Sequence, residues 1–592
     1  MHSDTMIRKL ILPIMIIATS VSTSEVQAEP INKQKKVTIA YTTDVHGNFF
    51  PYDFIRLQDA PGCYARVATA IENIRQQEGS ENVVLLDNGD ILQGQPTVYY
   101  YNYIDTITPH IASEIYNFMN VDAATVGNHD IETGHAVYDR VRRGSRTPIL
   151  AANVIDKATG QPYFEPYTII SRGDMKIAVL GLLTPAIPAW LPENLWSGMR
   201  FDPMEETASK WIKIIKEKEN PDAIIGLFHS GRDASKTTAG FIENASMTVA
   251  RNVAGFDAVL MGHDHQTFCD TLHNVSGETV QLLNPANNAL NIGILTLSKN
   301  NPDEALKTEA RLMDVSSIKP SEKFLEHFAK YKSDVDKFVN REIAQITDSI
   351  YTRDAFFGPS AFMTLLHDLQ LQITDADISM AAPLTFDGSI AAGPLRIADM
   401  FTLYKYENML STLQLTGKEI KDYLEYSYSL WIQSPEQSNN PHLINFVSEN
   451  PTPANNRLKN PSYNFDSAAG IDYTVDITKP KGERVEIKSL SDGRPFDLTS
   501  TYTVAVNSYR AGGGGNHLTD GCGLSPEDLK TRVITTTDKD LRYYLMKLVE
   551  SRRRITPTID RNWKFIPEEI AMPLIETDKE LLFGENSSKS QK

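Results

Sequence analysis

Short runs of apolar, largely β-branched residues recur through the first half of the chain, at 37–41, 83–86, 123–126, 177–183, 223–228 and 258–261. Each is too short for a helix and is bounded by turn residues, which reads as a strand, and helix-like stretches separate successive runs. That alternation predicts an α/β layered sheet. Five of the runs lead at once into polar residues able to bind metals: Asp44 and His46, then Asp90, then Asn128 and His129, then His229, then His263 and His265. Ligands of open α/β sheets bind beyond the carboxyl ends of the strands, so one site is expected to gather residues from five distant stretches.

Between Ser321 and Ile343 the apolar residues Phe324, Phe328, Tyr331, Val335, Phe338 and Val339 step by three or four with charges between them, which predicts an amphipathic helix joining two halves. Thr416 and Glu419 form a capping-box pattern that opens a helix over 420–430. A polar, Pro- and Asn-rich loop spans 434–460, and the charged, Ser-rich stretch after Met572 reads as a disordered tail. At the other end, Arg8 and Lys9 precede an apolar stretch over 10–18 and a polar run closing in Val26-Gln27-Ala28, the order of a secretory signal peptide cleaved after Ala28. The stretch is about half the ~20 residues a membrane span needs, and no cysteine stands at the cleavage point, so no transmembrane or lipid anchor is expected. The mature protein is expected in the periplasm or medium.

With 592 residues, 41% of them hydrophobic, the chain can bury more than one core. A net charge of −17 argues against nucleic-acid polymers and anionic membrane surfaces as general partners, while a small anionic substrate stays possible if the site carries its own cations. Nothing points to an obligate protein partner. Three cysteines, Cys63, Cys269 and Cys522, are too few for a disulfide framework; isolated buried thiols are the favoured reading, with a Cys63–Cys269 bridge as the alternative.

Asp44, His46, Asp90, Asn128, His229, His263 and His265 offer two carboxylates, one carboxamide oxygen and four imidazoles, a set suited to zinc, manganese or iron. Asp90 is placed to bridge two ions, since a carboxylate spans the roughly 3.5–4 Å of two-metal sites. Alone, an Asp-x-His pair is more often a surface turn and a lone His229 an ordinary hydrogen-bonded histidine. Five such pieces in order after five strands are not explained by independent turns.

The ordered blocks resemble the calcineurin-like metallophosphoesterases, whose pattern runs Asp-x-His, Gly-Asp, Gly-Asn-His, a lone His and Gly-His-x-His. The resemblance implies a four-layer α/β/β/α domain over 29–318, with two divalent ions: Asp44, His46, Asp90 and His265 on one, Asp90, Asn128, His229 and His263 on the other. His129 would contact the transferred phosphoryl group. Nucleotidase relatives pair that histidine with an aspartate three residues on; this chain has Glu132.

The second half resembles the C-terminal α/β (α+β) substrate-binding domain of the 5'-nucleotidase family over 346–567, after a linker helix at 319–345 and before a tail at 568–592. The residues that carry this are 403–408 (LYKYEN), 415–419 (LTGKE), 463–465 (YNF), 470–473 (GIDY) and 507–516 (NSYRAGGGGN). It implies that Tyr406 and Phe465, with Tyr463 competing for the second place, clamp a base, that Asn408 and Asp472 contact substrate, and that the linker helix is a hinge; Arg353 is a candidate cation. Aromatics of this kind taken alone are more often core. Where 5'-nucleotidases carry Asn-Gly-Gly-Gly-Ile-Arg, this chain reads Ser379-Met380-Ala381-Ala382-Pro383 through Gly388, similar to the 2',3'-cyclic-nucleotide 2'-phosphodiesterase/3'-nucleotidases. A nucleotide-scavenging enzyme of that branch is the leading expectation, a 5'-nucleotidase or UDP-sugar hydrolase the second, and a non-catalytic nucleotide-binding protein the third.

Overall fold

The computed structural model describes residues 35–232, 237–238, 240–300, 304–433 and 441–584; the expected signal peptide and the last eight residues, 585–592, lie outside them. Two six-stranded sheets form the first half. One runs in the order Lys307–Asp314, Asn291–Lys299, Lys35–Thr42, Val83–Asp87, Ala123–Thr125, Ile149–Leu150. The other runs Thr267–His273, Thr279–Pro285, Ala258–Met261, Ala223–His229, Met175–Leu183, Tyr167–Arg172. All six runs read as strands are strands, and the central pairings are parallel, with Tyr41 opposite Leu86 and Phe228 opposite Met261.

Val37, Ile39, Tyr41, Val84 and Leu86 of the first sheet pack on Ile177, Val179, Ile225, Leu227 and Leu260 of the second, and Tyr41 donates its hydroxyl across the gap to the Leu283 carbonyl at 2.6 Å. Strands buried on both faces read as continuous apolar runs, which is why these segments showed no alternation. Helices cover the outer faces. In Tyr64–Glu78 the buried residues Tyr64, Val67, Ala68, Ile71 and Ile74 recur at helical spacing, and Met204–Glu219 and Ser246–Asn252 pack on the second sheet with Ala208, Ile212, Ile215 and Val249. Helix, sheet, sheet and helix make four layers.

The second half centres on a five-stranded sheet in the order Ser467–Ala469, Ile378–Ala381, Thr501–Asn507, Met409–Thr416, Val533–Asp540. The capping box is present: Glu419 N donates to Thr416 Oγ1 at 3.2 Å and Thr416 N to Glu419 Oε2 at 2.7 Å, opening the helix Gly417–Trp431.

Two expectations change, and one alternative is removed. The amphipathic stretch is two helices, Glu322–His327 and Ala329–Val339, broken at Phe328 and followed by a strand, Glu342–Ile346. Phe324, Phe328, Val335 and Val339 are buried in the helical core of the first half, which anchors the connector to that half. The stretch read as a tail is helical from Glu568 to Phe583: Ala571, Ile575 and Leu582 recur on one face, and between them Asp578 accepts from Ile444 N at 2.9 Å and pairs with His442. Its charged outer face and the Ser-rich end hid that stripe. The cysteines are all free, Cys63 buried and Cys269 exposed on its strand, so the alternative bridge is absent.

The halves meet through Tyr99, which packs among second-half residues against Phe401 at 5.4 Å. The Arg542 guanidinium lies 4.9 Å from the Tyr99 centroid and 4.1 Å from that of Phe401. Tyr103 donates its hydroxyl to Glu407 at 3.3 Å.

Candidate active site

The strand ends of both first-half sheets converge. Asp44, His46 and His265 form one group able to hold a cation and Asp90, His229 and His263 another, the ligand atoms within each lying within 4.8 Å of one another. The groups adjoin: His229 Nε2 is 4.0 Å from Asp44 Oδ1. Asn128 Oδ1 faces His229 Nε2 at 3.1 Å and His263 Nδ1 at 2.8 Å.

The backbone is bent to achieve this. Asp44, His46, Asp90, His263 and His265 all have φ between 50° and 73°, a region few non-glycine residues occupy and one that concentrates at functional sites. Neighbouring glycines permit the close approach: a Cβ on Gly127 would lie 2.1 Å from Asp90 Oδ1, and one on Gly262 2.1 Å from Thr43 Oγ1 and 2.8 Å from Asp44 Oδ2. Two buried carboxylates, Asp130 and Asp87, hold the loops in place. Asp130 accepts from the backbone N–H of Asp90, Ile91, Leu92 and Gly127 at 2.7–3.0 Å. Asp87 accepts from Thr42, Tyr64 and Tyr116 hydroxyls at 2.6–2.7 Å.

The hydrogen-bonding pattern fits cations. A neutral imidazole has one N–H, yet His229 faces acceptors with both nitrogens, the Asn88 carbonyl 2.6 Å from Nδ1, and Asn128 Oδ1 and Asp90 Oδ2 3.1 and 3.2 Å from Nε2. His263 does the same with Asn128 Oδ1 and with Glu243 Oε1, 3.0 Å from Nε2. Asp90 Oδ2 is buried and accepts no well-formed hydrogen bond. Positive charge is favoured there: burial opposes the charged form of His229, but Asp90 and Asp44 outweigh it and push its pKa up to about 10. Burial also favours the neutral acid at Asp44, yet His265 and His229 hold it down to about 2. His46, buried against His265, is pushed down to about 3 and stays neutral.

His129 follows Asn128 at the start of the short helix Asn128–Glu132. Its N–H donates to Asp90 Oδ1 at 2.8 Å and its Nδ1 lies 2.5 Å from Glu132 Oε2. Burial opposes protonation, but Asp90 and Glu132 prevail and hold it cationic up to about 9. Across from it stands Tyr406, nearly parallel at 7° with centroids 6.5 Å apart.

Around Tyr406 the second half contributes Tyr463 and Tyr509, both partly exposed. Beneath them Arg510 is buried against Asp466, with Nε 2.8 Å from Oδ2, and donates to the carbonyls of Tyr463 at 2.6 Å and Gly514 at 3.1 Å. Gly512 packs on the first half so closely that a Cβ would lie 2.4 Å from the Ala189 carbonyl oxygen. Asn408 is buried and donates to the Tyr404 hydroxyl at 3.4 Å.

Three expected substrate contacts are engaged elsewhere. Phe465 is 0% exposed, stacked on Trp431 at 5.5 Å and edge-on to Phe356, so it is a core residue and Tyr463 holds the accessible place. Asp472 lies on the strand Ile471–Asp476 of a separate three-stranded sheet and accepts from Ser491 at 2.8 Å. Arg353 lies over the rings of Tyr351 and Phe583. Conversely, Glu243, twenty residues before His263, carries no motif spacing and was not singled out.

Residues 37–267 match the family described as calcineurin-like phosphoesterase and residues 342–520 the 5'-nucleotidase C-terminal domain. The chain is 28% identical to the trifunctional nucleotide phosphoesterase protein of Bacillus subtilis over 96% of its own length but only 41% of that protein's. It is 26% identical to the 2',3'-cyclic-nucleotide 2'-phosphodiesterase/3'-nucleotidase of Yersinia enterocolitica, covering 96% of this chain and 93% of that one. Its fold is that of a solved 5'-nucleotidase precursor from Thermus thermophilus, with a TM-score of 0.60, 21% identity, and 90% and 100% of the two chains covered.

Proposed function

We propose, on the premise that the chain belongs to the calcineurin-like phosphoesterases with a 5'-nucleotidase C-terminal domain, that it is an exported 2',3'-cyclic-nucleotide 2'-phosphodiesterase and 3'-nucleotidase. It is a phosphoric ester hydrolase by that membership. Export rests on the first 28 residues, and no helix among the described residues is long and apolar enough to cross a membrane.

The observation that carries the reading is the juxtaposition of the His129–Glu132 pair with six cation-binding groups, four of them buried, on one side and Tyr406 on the other. Asp44, His46 and His265 would hold one divalent ion, Asn128, His229 and His263 the second, with Asp90 shared. When bound, such ions supply Lewis acidity at the phosphoryl oxygens and lower the pKa of water. The chain's own residues do the rest. Glu132 holds Nδ1 of His129, leaving Nε2 to donate a proton to the leaving ribose oxygen. Tyr406 and Tyr463 offer aromatic faces on which any base can stack, which turns the 2',3' edge of the ribose toward His129.

The cyclic and 3' preference is supported by the segment 379–388, which carries no arginine, by the Arg353 guanidinium being engaged over the Tyr351 ring at 4.8 Å, and by the Yersinia relative. Purified protein with Mn²⁺ or Zn²⁺ should cleave 2',3'-cyclic AMP and 3'-AMP well ahead of 5'-AMP and a UDP-sugar. Cleavage of the last two alone would replace this with the 5'-nucleotidase or UDP-sugar hydrolase reading, and binding without cleavage of any would make the chain a non-catalytic nucleotide-binding protein.

A further inference from the structure

The four clustered histidines differ in what holds the nitrogen turned away from the cluster. His46 and His229 donate Nδ1–H to the backbone carbonyls of Gln93 at 3.1 Å and Asn88 at 2.6 Å, and His265 Nδ1 is met by the Asn287 amide at 3.1 Å. His263 alone meets a carboxylate, Glu243 Oε1, 3.0 Å from Nε2. Its other nitrogen, Nδ1, faces Asn128 Oδ1 inside the second group.

Glu243 is fixed relative to that group by the turn after His229. Ser230 Oγ donates to the Glu243 carbonyl at 2.9 Å and accepts from Ala245 N at 2.9 Å, Gly231 N donates to Asn244 Oδ1 at 2.9 Å, and Ser246 Oγ donates to the Ser230 carbonyl at 2.7 Å. A Cβ on Gly231 would lie 2.3 Å from Asn244 Oδ1, so the two segments are in close contact. The Trp190 ring, 5.6 Å from that of His263 and tilted 32°, covers the imidazole.

We propose that Glu243 is a positioning residue for the second cation group. It accepts a hydrogen bond from the Nε2–H of His263, fixes the tautomer whose Nδ1 lone pair points at Asn128 and Asp90, and raises the basicity of that nitrogen. Hydrogen-bonded carboxylates behind metal-binding histidines act in this way, and their loss weakens metal affinity by about 10–100-fold. Among the described residues the first group has no such carboxylate behind its histidines, so the effect of Glu243 is confined to one of two ions. This rests on reading the cluster as a two-metal centre.

The test titrates the full chain with Co²⁺, following stoichiometry and affinity by calorimetry and the ligand-field absorption of each ion, with no turnover measured. The wild type should bind two ions. Glu243→Ala should weaken one of them by about 10–100-fold and leave the other within about twofold, and Glu243→Gln, which keeps an acceptor without the charge, should fall between. If Glu243→Ala does not fold, as judged by circular dichroism, Glu243→Gln carries the comparison. Wild-type affinity at both ions in the variants, or equal weakening of both, overturns the assignment of Glu243 alone. A wild type that binds no ions removes the metal-centre reading and this inference with it.

Discussion

Asp44, His46, Asp90, His263 and His265 sit where strands end, in left-handed backbone that three glycine-containing turns and the carboxylates of Asp87 and Asp130 hold in place. Tyr406, Tyr463 and Tyr509, on the facing half, sit in a bend and two short helical turns. What fixes two of them is underneath: Arg510 on Asp466, reaching the Tyr463 carbonyl. On the first side the ligand types and their spacing are themselves the structure. On the second, position depends on long-range packing. Under the proposed roles, chemistry belongs to the first half and recognition to the second.

The sharpest way to break that separation is at His129, which belongs to the cluster by sequence but faces Tyr406. His129→Ala should lower kcat by about 10²–10⁴-fold, the usual scale for losing a general acid. Metal content by elemental analysis and KM should stay near the wild type. A rise in KM with kcat preserved would assign His129 to recognition.

A smaller contrast separates two aromatics that the sequence treats as equivalent. Phe465→Ala removes a ring from the core and should cost about 3–5 kcal/mol of stability, read by denaturant unfolding. Tyr406→Ala should leave stability nearly unchanged and weaken nucleotide binding by about 1–3 kcal/mol, a KM about 5- to 160-fold higher. The reverse assignment, with KM raised by the Phe465 change in a protein of wild-type stability, would restore Phe465 to the clamp.

This contrast also explains what the sequence disclosed. The strands before the cluster were legible because both-face burial writes continuous apolar runs, and the ligand residues because they follow those runs within a few positions. Phe465 was misplaced because nothing local distinguishes an aromatic under Trp431 from one at a rim. Glu243 was invisible because its partner lies twenty residues away on another turn, and the helix Glu568–Phe583 because its charged face and Ser-rich neighbour outweigh three apolar residues in a composition reading. Long-range pairing is the common factor.

The seam between the halves supplies the finest test. Glu407, flanked by Tyr406 and Asn408, is 2% exposed, 3.5 Å from Arg542 and bonded by Tyr103. Burial foremost, with Glu132 and Asp540 adding to it against Arg542, pushes its carboxyl up to about 8. An unfolded glutamate titrates near 4.3. Between those values the folded chain keeps a proton that the unfolded chain has released, so this group's contribution to stability falls as pH rises from about 4.3 to about 8 and is level outside that window. One proton sets a ceiling of about 1.4 kcal/mol per pH unit, about a degree or two of melting temperature in a chain of this length. Glu407→Gln is neutral at every pH, so its melting temperature should gain on the wild type steadily from pH 5 to pH 8, while the metal content stays the same because the seam lies outside the cation groups. Parallel melting profiles for the two proteins would mean that Glu407 is ionised in the fold, with Arg542 outweighing its burial, and that the two form a true ion pair within the second half beside the Tyr103 hydroxyl.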